Sequence, residues 1–142
     1  SFDSPDTSGF ILQLNGEHIE YTLDKGYALI SRKWKSGDLV SLQIPMPVRY
    51  IRANEKVVAD QGRVAIQRGP LVYCTEWADY ANDSIQDIVA IPVQDLSSDY
   101  EPDLLSGVTV IRGGESFTAI PYYAWANRGQ GEMAVWLKFP AF

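Results

Sequence analysis

Short apolar runs separated by turn residues recur along almost the whole chain, and this pattern constrains the fold more than any other feature. In one such run, Ile19, Tyr21 and Leu23 alternate with polar residues. An alternation of period two is typical of a strand with one buried face. No segment has a convincing helical period. Many short strands at a spacing of roughly ten residues predict an all-β fold, an antiparallel β-sandwich of jelly-roll type with little or no helix.

Turn residues fix several strand ends in the first part of the chain. Asn15-Gly16 predicts a type I′ hairpin, because both central residues of that turn take positive φ. His18, the only histidine, follows at the hairpin tip and is expected to be exposed. Asp24 to Gly26 predicts a second turn. Pro45 and Pro47 predict that the strand over residues 40–44 lies at a sheet edge or contains a bulge. These first strands are expected to form a meander.

The remaining strand signals divide the chain into two expected parts. Residues 75–84 are polar and indicate a linker or a long connection between sheets, and residues 94–103 are acidic and indicate a turn-rich loop. We therefore expect a partial first sandwich over residues 1–76 and the strands of a C-terminal sandwich over 77–142, able to pack as one compact unit. After the prolines, further strands are predicted at residues 48–51, 57–58, 64–66, 71–74, 88–93, 108–111, 117–123 and 133–139.

Length, charge and cysteine content exclude several classes of protein. A chain of 142 residues is large enough for one ordinary domain without cross-links, and its single cysteine, Cys74, cannot form an internal disulfide. A net charge of -6 argues against nucleic acid as a partner. There is no membrane span and no signal peptide in the sequence. An export signal could have been removed before Ser1, so the periplasm or secretion is preferred to the cytoplasm.

The segment over residues 120–137 concentrates aromatic and polar side chains around glycines, and it is predicted to form a strand, a tight loop and a second strand. Tyr122, Tyr123 and Trp125 either anchor a packed sheet or offer flat faces to a sugar. Asn127 and Arg128 follow directly and could bind hydroxyl groups. We favour the structural role and leave the recognition role open, with these five residues as candidate sugar or interface contacts.

The sequence assigns no catalytic or metal-binding residue. Acidic residues are numerous, and a pair of glycosidase carboxylates cannot be identified without geometry. Neither of two acidic clusters, over residues 79–87 and 95–103, has the spacing of an EF-hand, and solvated loops are the preferred interpretation over a calcium site. Turn, cap or solvated roles are likewise preferred for the acidic residues Asp60, Glu76, Asp79 and Glu132.

Long phrases of the sequence resemble a known family. The most specific are MPVRYIRANEKVVADQGRVAIQRGPLVYC, over Met46 to Cys74, and IPYYAWANRGQGEMAVWL, over Ile120 to Leu137. The NGE hairpin and the phrase GYALISRKWKSGDLVSLQIPMPVR also fit. Together they resemble the non-catalytic β-sandwich region of glycoside hydrolase family 127, the β-L-arabinofuranosidase-like enzymes.

The resemblance implies that the chemistry lies outside this chain. In such enzymes a preceding (α/α)6 barrel carries a cysteine nucleophile beside a zinc ion, held by further cysteines and a glutamate, and a second glutamate acts as acid/base. Cys74 does not match that motif and reads as an inert buried residue. We therefore expect an accessory domain without cofactor that supports the barrel of the same parent protein, or dimerisation. The parent is expected to release L-arabinofuranose or a related sugar from plant glycans or glycoproteins. The alternative is a carbohydrate-binding module.

The family pattern also includes strands before the Asn-Gly hairpin, with a phrase resembling LRIPxW, and Ser1 follows that point. The first sandwich is therefore expected to be incomplete, with unpaired backbone groups at one edge. Exposed edges pair readily with another chain. A homodimer through edge strands, or a rearranged single sandwich, is the expected consequence.

Overall fold

The computed structural model describes residues 9–80 and 84–140, and these ranges are built from strands and three-residue 3-10 helices. Every ladder of two or more residue pairs is antiparallel. The predicted all-β antiparallel β-sandwich with little or no helix is confirmed. Within the described ranges, no helix is long and apolar enough to cross a membrane. The chain divides into two compact units, Ser1–Pro45 and Met46–Phe142.

The first unit contains two small sheets. The predicted Asn15-Gly16 hairpin is confirmed, because the two residues have φ of 53° and 85° and join paired strands. The second predicted turn is also present, with φ of 48° at Lys25 and 85° at Gly26. The strands of this unit are β1 (Ile11–Leu14), β2 (Glu17–His18), β3 (Thr22–Asp24), β4 (Tyr27–Leu29) and β5 (Val40–Gln43), in the orders β2-β1-β5 and β3-β4.

The predicted meander is wrong at its last step, because β5 pairs with β1 and not with β4. Hydrogen bonds around Asn15 explain the difference. Its backbone N–H donates to the carbonyl of Leu39 at 2.8 Å, and its side-chain Oδ1 accepts the N–H of Leu39 at 2.9 Å. These bonds hold the start of β5 beside the end of β1. The edge position predicted for residues 40–44 is confirmed, since β5 ends its sheet within the described residues.

The second unit holds one larger sheet in the order β13-β7-β8-β11-β10-β9, in which β6 also pairs with β7 and β12 with β8. Its strands are β6 (Val48–Ile51), β7 (Arg63–Arg68), β8 (Leu71–Glu76), β9 (Ser97–Glu101), β10 (Val108–Gly113), β11 (Phe117–Pro121), β12 (Met133–Ala134) and β13 (Trp136–Lys138). The 3-10 helices are Val58–Asp60, Trp77–Asp79, Ile85–Asp87, Val93–Asp95 and Tyr122–Ala124.

The division into units falls after Pro45 rather than after residue 76. The reason lies in β8, which pairs with β11 through Cys74 and Ile120 and with β12 through Glu76 and Met133. A boundary after residue 76 would cut this sheet. The linker predicted over residues 75–84 is wrong at its start, because Thr75 and Glu76 are buried strand residues. Residues 81–83 lie outside the described ranges.

Four local predictions in the second unit were wrong. In place of the strand predicted over residues 57–58, a 3-10 helix begins at Val58. The predicted strand over 88–93 is reduced to one parallel bridge between Val89 and Lys138. Pro92 lacks the N–H that would continue a ladder there and instead precedes a 3-10 helix. The predicted loop over 94–103 contains β9, a strand whose mostly exposed side chains gave no apolar signal. The strand predicted to reach Tyr123 ends at Pro121.

Two apolar clusters form the core of the second unit. The larger one lies between β7, β8, β10, β11 and β13, and the smaller one lies under the turn that follows β11. Because Ala124 of that turn belongs to the smaller cluster, the turn is anchored to the core. The larger cluster contains Val64, Ile66, Tyr73, Ile85, Ile88, Ala90, Ile111, Phe117, Ala119, Ala134 and Leu137. The smaller contains Cys74, Val108, Val110, Ile120 and Ala124.

Candidate functional site

Three large aromatic side chains project from the turn that follows β11. Tyr122, Tyr123 and Trp125 are 44%, 66% and 40% exposed, respectively. Pro121 ends the strand, the next three residues form a 3-10 helix, and the buried Ala124 ties that helix to the core. We call these three exposed residues the aromatic turn. Their interpretation as anchors inside a packed sheet does not hold for this chain, because their rings lie at its surface.

The aromatic turn and a tryptophan packed on the following loop place exposed rings along one stretch of the chain. The ring centroids of Tyr122 and Trp125 lie 6.3 Å apart with an angle of 31° between planes. Trp77, also about two-fifths exposed, packs against the backbone of Gly129 and Gly131. A Cβ at Gly131 would collide with this indole, so the loop needs glycine there. Half-exposed rings held against a fixed backbone are typical of a contact surface.

A partly buried ion-pair cluster holds the loop that follows the aromatic turn. We call Arg128 with its two carboxylate partners, Glu76 and Asp79, the Arg128 cluster. Nη1 and Nη2 of Arg128 donate to Oδ1 and Oδ2 of Asp79 at 2.7 and 2.8 Å, which is a bidentate pair. Nε donates to Oε2 of Glu76 at 2.8 Å. The side chains of Arg128, Asp79 and Glu76 are 16%, 19% and 3% exposed, so water screens the pair with Glu76 weakly and the pair with Asp79 more strongly.

The cluster also fixes the loop backbone. Oε1 of Glu76 accepts the backbone N–H of Ala126 at 2.6 Å, and Ala126 has a φ of 63°, which is unusual for a residue other than glycine. Nδ2 of Asn127 donates to the carbonyls of Ala124 and Trp125 at 3.0 and 3.3 Å. Hydrogen bonds to Asp79, and then to Glu76, raise the pKa of Arg128 against the opposing effect of desolvation. The guanidinium therefore stays charged across the accessible pH range.

The structure brings together Arg128 and two carboxylates that the sequence left apart. Glu76 was wrongly interpreted as a turn, cap or solvated residue, since it is buried and paired. The available signal was a glutamate that closely follows the apolar run over residues 71–74, because a carboxylate buried at the end of such a strand requires a positive partner. Asp79 lies in a 3-10 helix as the turn interpretation implied, but its carboxylate is also paired. His18 is exposed, as predicted.

Among the described residues, no group of three or more His, Cys, Asp or Glu side chains could hold a metal ion. Cys74 is the chain's single cysteine and lies in the core. These residues do not fit the cysteine-rich zinc site that the family resemblance implies for a catalytic barrel. Asn82 and Asp83 of the first acidic cluster lie outside the described ranges. In the second cluster, Glu101 pairs with Arg112.

Burial makes Cys74 an unreactive thiol. Desolvation, with a smaller contribution from the Glu76 carboxylate, raises the pKa of Cys74 to about 12. Because the thiolate is the reacting form, we expect an aromatic disulfide reagent at pH 8 to label the folded chain roughly a thousand times more slowly than the denatured chain. The release of coloured thiolate measures both rates, with guanidinium-denatured chain as the control. Equal rates in both states would contradict the buried position.

A recess of about 390 Å³ lies in the segment between β6 and β7. Its two guanidinium groups are already engaged within the chain. Arg52 lies over the ring of Phe139 at 4.7 Å, and Arg63 donates to the carbonyl of Trp136 at 3.0 Å. We therefore take the aromatic turn with the Arg128 cluster, and not this recess, as the candidate site.

Comparison with known proteins gives a consistent result. Residues 48–138 match the model of the glycoside hydrolase family 127 C-terminal domain. The chain is 33% identical to the non-reducing end β-L-arabinofuranosidase of Bifidobacterium longum subsp. longum, over 91% of this chain and 24% of that protein.

Solved structures of similar sequence share the fold. One is a GH127 β-L-arabinofuranosidase from Geobacillus stearothermophilus T6, with a TM-score of 0.73 and 40% identity over 93% of this chain and 25% of that one. A second GH127 β-arabinofuranosidase has a TM-score of 0.76 and 37% identity, over 93% of this chain and 23% of that one. The chain thus spans about a quarter of the length of the relatives it matches.

Proposed function

The chain belongs to the glycoside hydrolase family 127 C-terminal domain family, and from that membership we propose that it is a non-catalytic accessory domain of a longer glycoside hydrolase. The similar proteins are named as β-L-arabinofuranosidases, so the proposed parent acts on L-arabinofuranosides. The proposed role is to support the catalytic part of that polypeptide. Any zinc or cysteine chemistry of the parent would then belong to its other residues.

One observation carries the proposal, namely that the charged groups at the candidate site bind one another. A glycosidase of the common kind needs two carboxyl groups that face a sugar from opposite sides. Here Glu76 and Asp79 both accept hydrogen bonds from Arg128. Asn127 donates to backbone carbonyls of its own loop. These polar side chains stabilise a loop and leave the aromatic faces as the feature directed outward.

The first test is hydrolysis by the purified chain. We expect its release of nitrophenolate from 4-nitrophenyl L-arabinofuranoside to equal that of buffer, because no carboxylate pair of the candidate site faces a cleft. Absorbance at alkaline pH measures the product, and a β-L-arabinofuranosidase serves as the positive control. Turnover that disappears when one side chain of this chain is replaced, for example in Glu76→Gln, would overturn the accessory role.

Glycan binding is a second candidate function, and the geometry of Tyr122 and Trp125 favours it. Their rings are exposed and only 31° from parallel, which suits stacking against a sugar face. Calorimetric titration of the chain with arabino-oligosaccharides separates the candidates. The accessory role predicts no heat above dilution, whereas saturable heat that Trp125→Ala abolishes would favour a carbohydrate-binding module.

Dimerisation is a further part of the proposed accessory role. Within the described ranges, β5 and β9 lie at the edges of their sheets, and an edge strand offers backbone groups for pairing with a second copy. The exposed side chains of β9 include Tyr100, which adds apolar area to that edge. Sedimentation of the chain over a range of concentrations tests this part independently of hydrolysis.

A further inference from the structure

We propose that the aromatic turn is the surface through which this domain contacts the catalytic part of its own polypeptide, and that the Arg128 cluster holds that surface in shape beforehand. The inference rests on the accessory role proposed above and identifies the surface that performs it. The occupant is an apolar or aromatic protein face that belongs to the remaining residues of the parent hydrolase.

Exposure of four rings at one loop is the first observation. Tyr122, Tyr123 and Trp125 project from one turn, and Trp77 lies against the glycines of the loop that follows it. Exposed aromatic side chains grouped along one loop mark an interaction site. Aromatic residues also contribute more to the core of a protein interface than other residue types.

The engagement of the neighbouring polar groups favours protein over sugar as the occupant. A sugar site combines stacking with side chains that bind hydroxyl groups, and Asn127 and Arg128 are the side chains nearest in sequence that could do so. Both are bound internally, Asn127 to carbonyls and Arg128 to Glu76 and Asp79. The two polar side chains nearest in sequence to the rings are thus committed within the chain, which favours an apolar protein counterpart over a sugar.

Because the relatives are much longer than this chain, such a counterpart can lie elsewhere in the same polypeptide. The chain covers 24% of the curated β-L-arabinofuranosidase and 25% of the Geobacillus stearothermophilus enzyme. In proteins of that length, most of the polypeptide is available to cover the turn. A contact within one polypeptide also needs only a modest apolar area, because the linkage supplies a high effective concentration.

The Arg128 cluster explains how the turn keeps its shape while exposed. Ala126 has a positive φ, which costs free energy and persists only where the surroundings impose it. The carboxylate of Glu76 imposes it by accepting the N–H of Ala126, and Arg128 fixes that carboxylate. A surface ordered in advance loses less conformational entropy when its partner docks. Arg128 is thus a positioning residue for the contact.

Photo-cross-linking in the full-length parent polypeptide tests the inference. Trp125 is replaced by p-benzoylphenylalanine, and Tyr27, an exposed aromatic on β4, is replaced in a control variant that should give no such cross-link. We expect the probe at 125 to cross-link to residues outside this domain in the same polypeptide, identified by mass spectrometry. Cross-links only to a second copy, only to added arabino-oligosaccharide, or to nothing would each overturn it.

A second variant tests the positioning role. In full-length protein that also carries Arg128→Lys, the cross-link yield at 125 is expected to fall at least about fivefold, since an ammonium group cannot reproduce the bidentate and bridging bonds. Arg112→Lys, at an exposed pair, should leave the yield unchanged. An unchanged yield in Arg128→Lys would remove the positioning role.

Hydrolysis by the isolated chain would defeat the accessory function itself, whereas an inactive chain with no cross-link at 125 would defeat only this inference.

Discussion

An Arg128→Met variant of this chain is expected to have a free energy of unfolding lower by about 3 to 5 kcal/mol than that of the unchanged protein. Methionine fills a similar volume and removes the charge. Glu76, whose side chain is 3% exposed, would then remain as a buried carboxylate without its cation. Such an uncompensated charge is among the few changes that destabilise a domain strongly.

Chemical denaturation followed by tryptophan fluorescence measures the loss. The matched control is Arg112→Met, because Arg112 pairs with Glu101 through side chains that are 40% and 39% exposed. An exposed pair of this kind contributes about 0 to 1 kcal/mol, so the control should lose at most that amount. Equal losses in both variants would mean that the Arg128 cluster is not effectively buried.

A double variant separates the cost of an unpaired charge from the value of the pair. Arg128→Met combined with Glu76→Leu removes both the cation and the carboxylate that depends on it. Replacing a whole buried ion pair with apolar groups is often close to neutral. The double variant should therefore recover a large part of the loss, although Asp79 and the N–H of Ala126 still lose a partner.

The sequence predicted the fold class well because the signals for strands and tight turns are local. Asn15-Gly16 required positive φ at two successive residues, and the structure has it. The prolines after β5 correctly indicated an edge. Where the sequence failed, the deciding interaction was not local. The side chain of Asn15 binds Leu39, and that contact, which no spacing reveals, directs β5 to β1.

The sequence predicted which residues belong to the candidate site but not how they are arranged. Tyr122, Tyr123, Trp125, Asn127 and Arg128 stood out as a concentrated segment. Their exposure could not be predicted from the sequence, since tyrosine and tryptophan occur both in cores and at half-exposed surface positions. The partners of Arg128 lie some fifty positions earlier, at the end of β8 and in the 3-10 helix that follows it, and the pairing of β8 with β11 and β12 brings them together. Their role in recognition stays a prediction.

An Ile120→Ala variant is expected to lower the free energy of unfolding by about 2 to 5 kcal/mol, because it leaves a cavity in the smaller apolar cluster. Ile120 is fully buried on β11, where it pairs with Cys74. It packs in the same cluster as Ala124, the buried residue of the turn. Beyond the loss of global stability, the cavity should therefore loosen the turn itself.

Two measurements follow both effects. Denaturant unfolding gives the change in stability, and hydrogen exchange reports the protection of the backbone N–H of Ala126, which Glu76 binds at 2.6 Å. Val58→Ala is the control, because Val58 is 74% exposed and its loss should change the free energy of unfolding by no more than about 0.5 kcal/mol. We expect Ile120→Ala to reduce protection at Ala126 by more than the global loss alone explains. If stability falls while that protection follows only global unfolding, the smaller cluster stabilises the sheet without holding the aromatic turn.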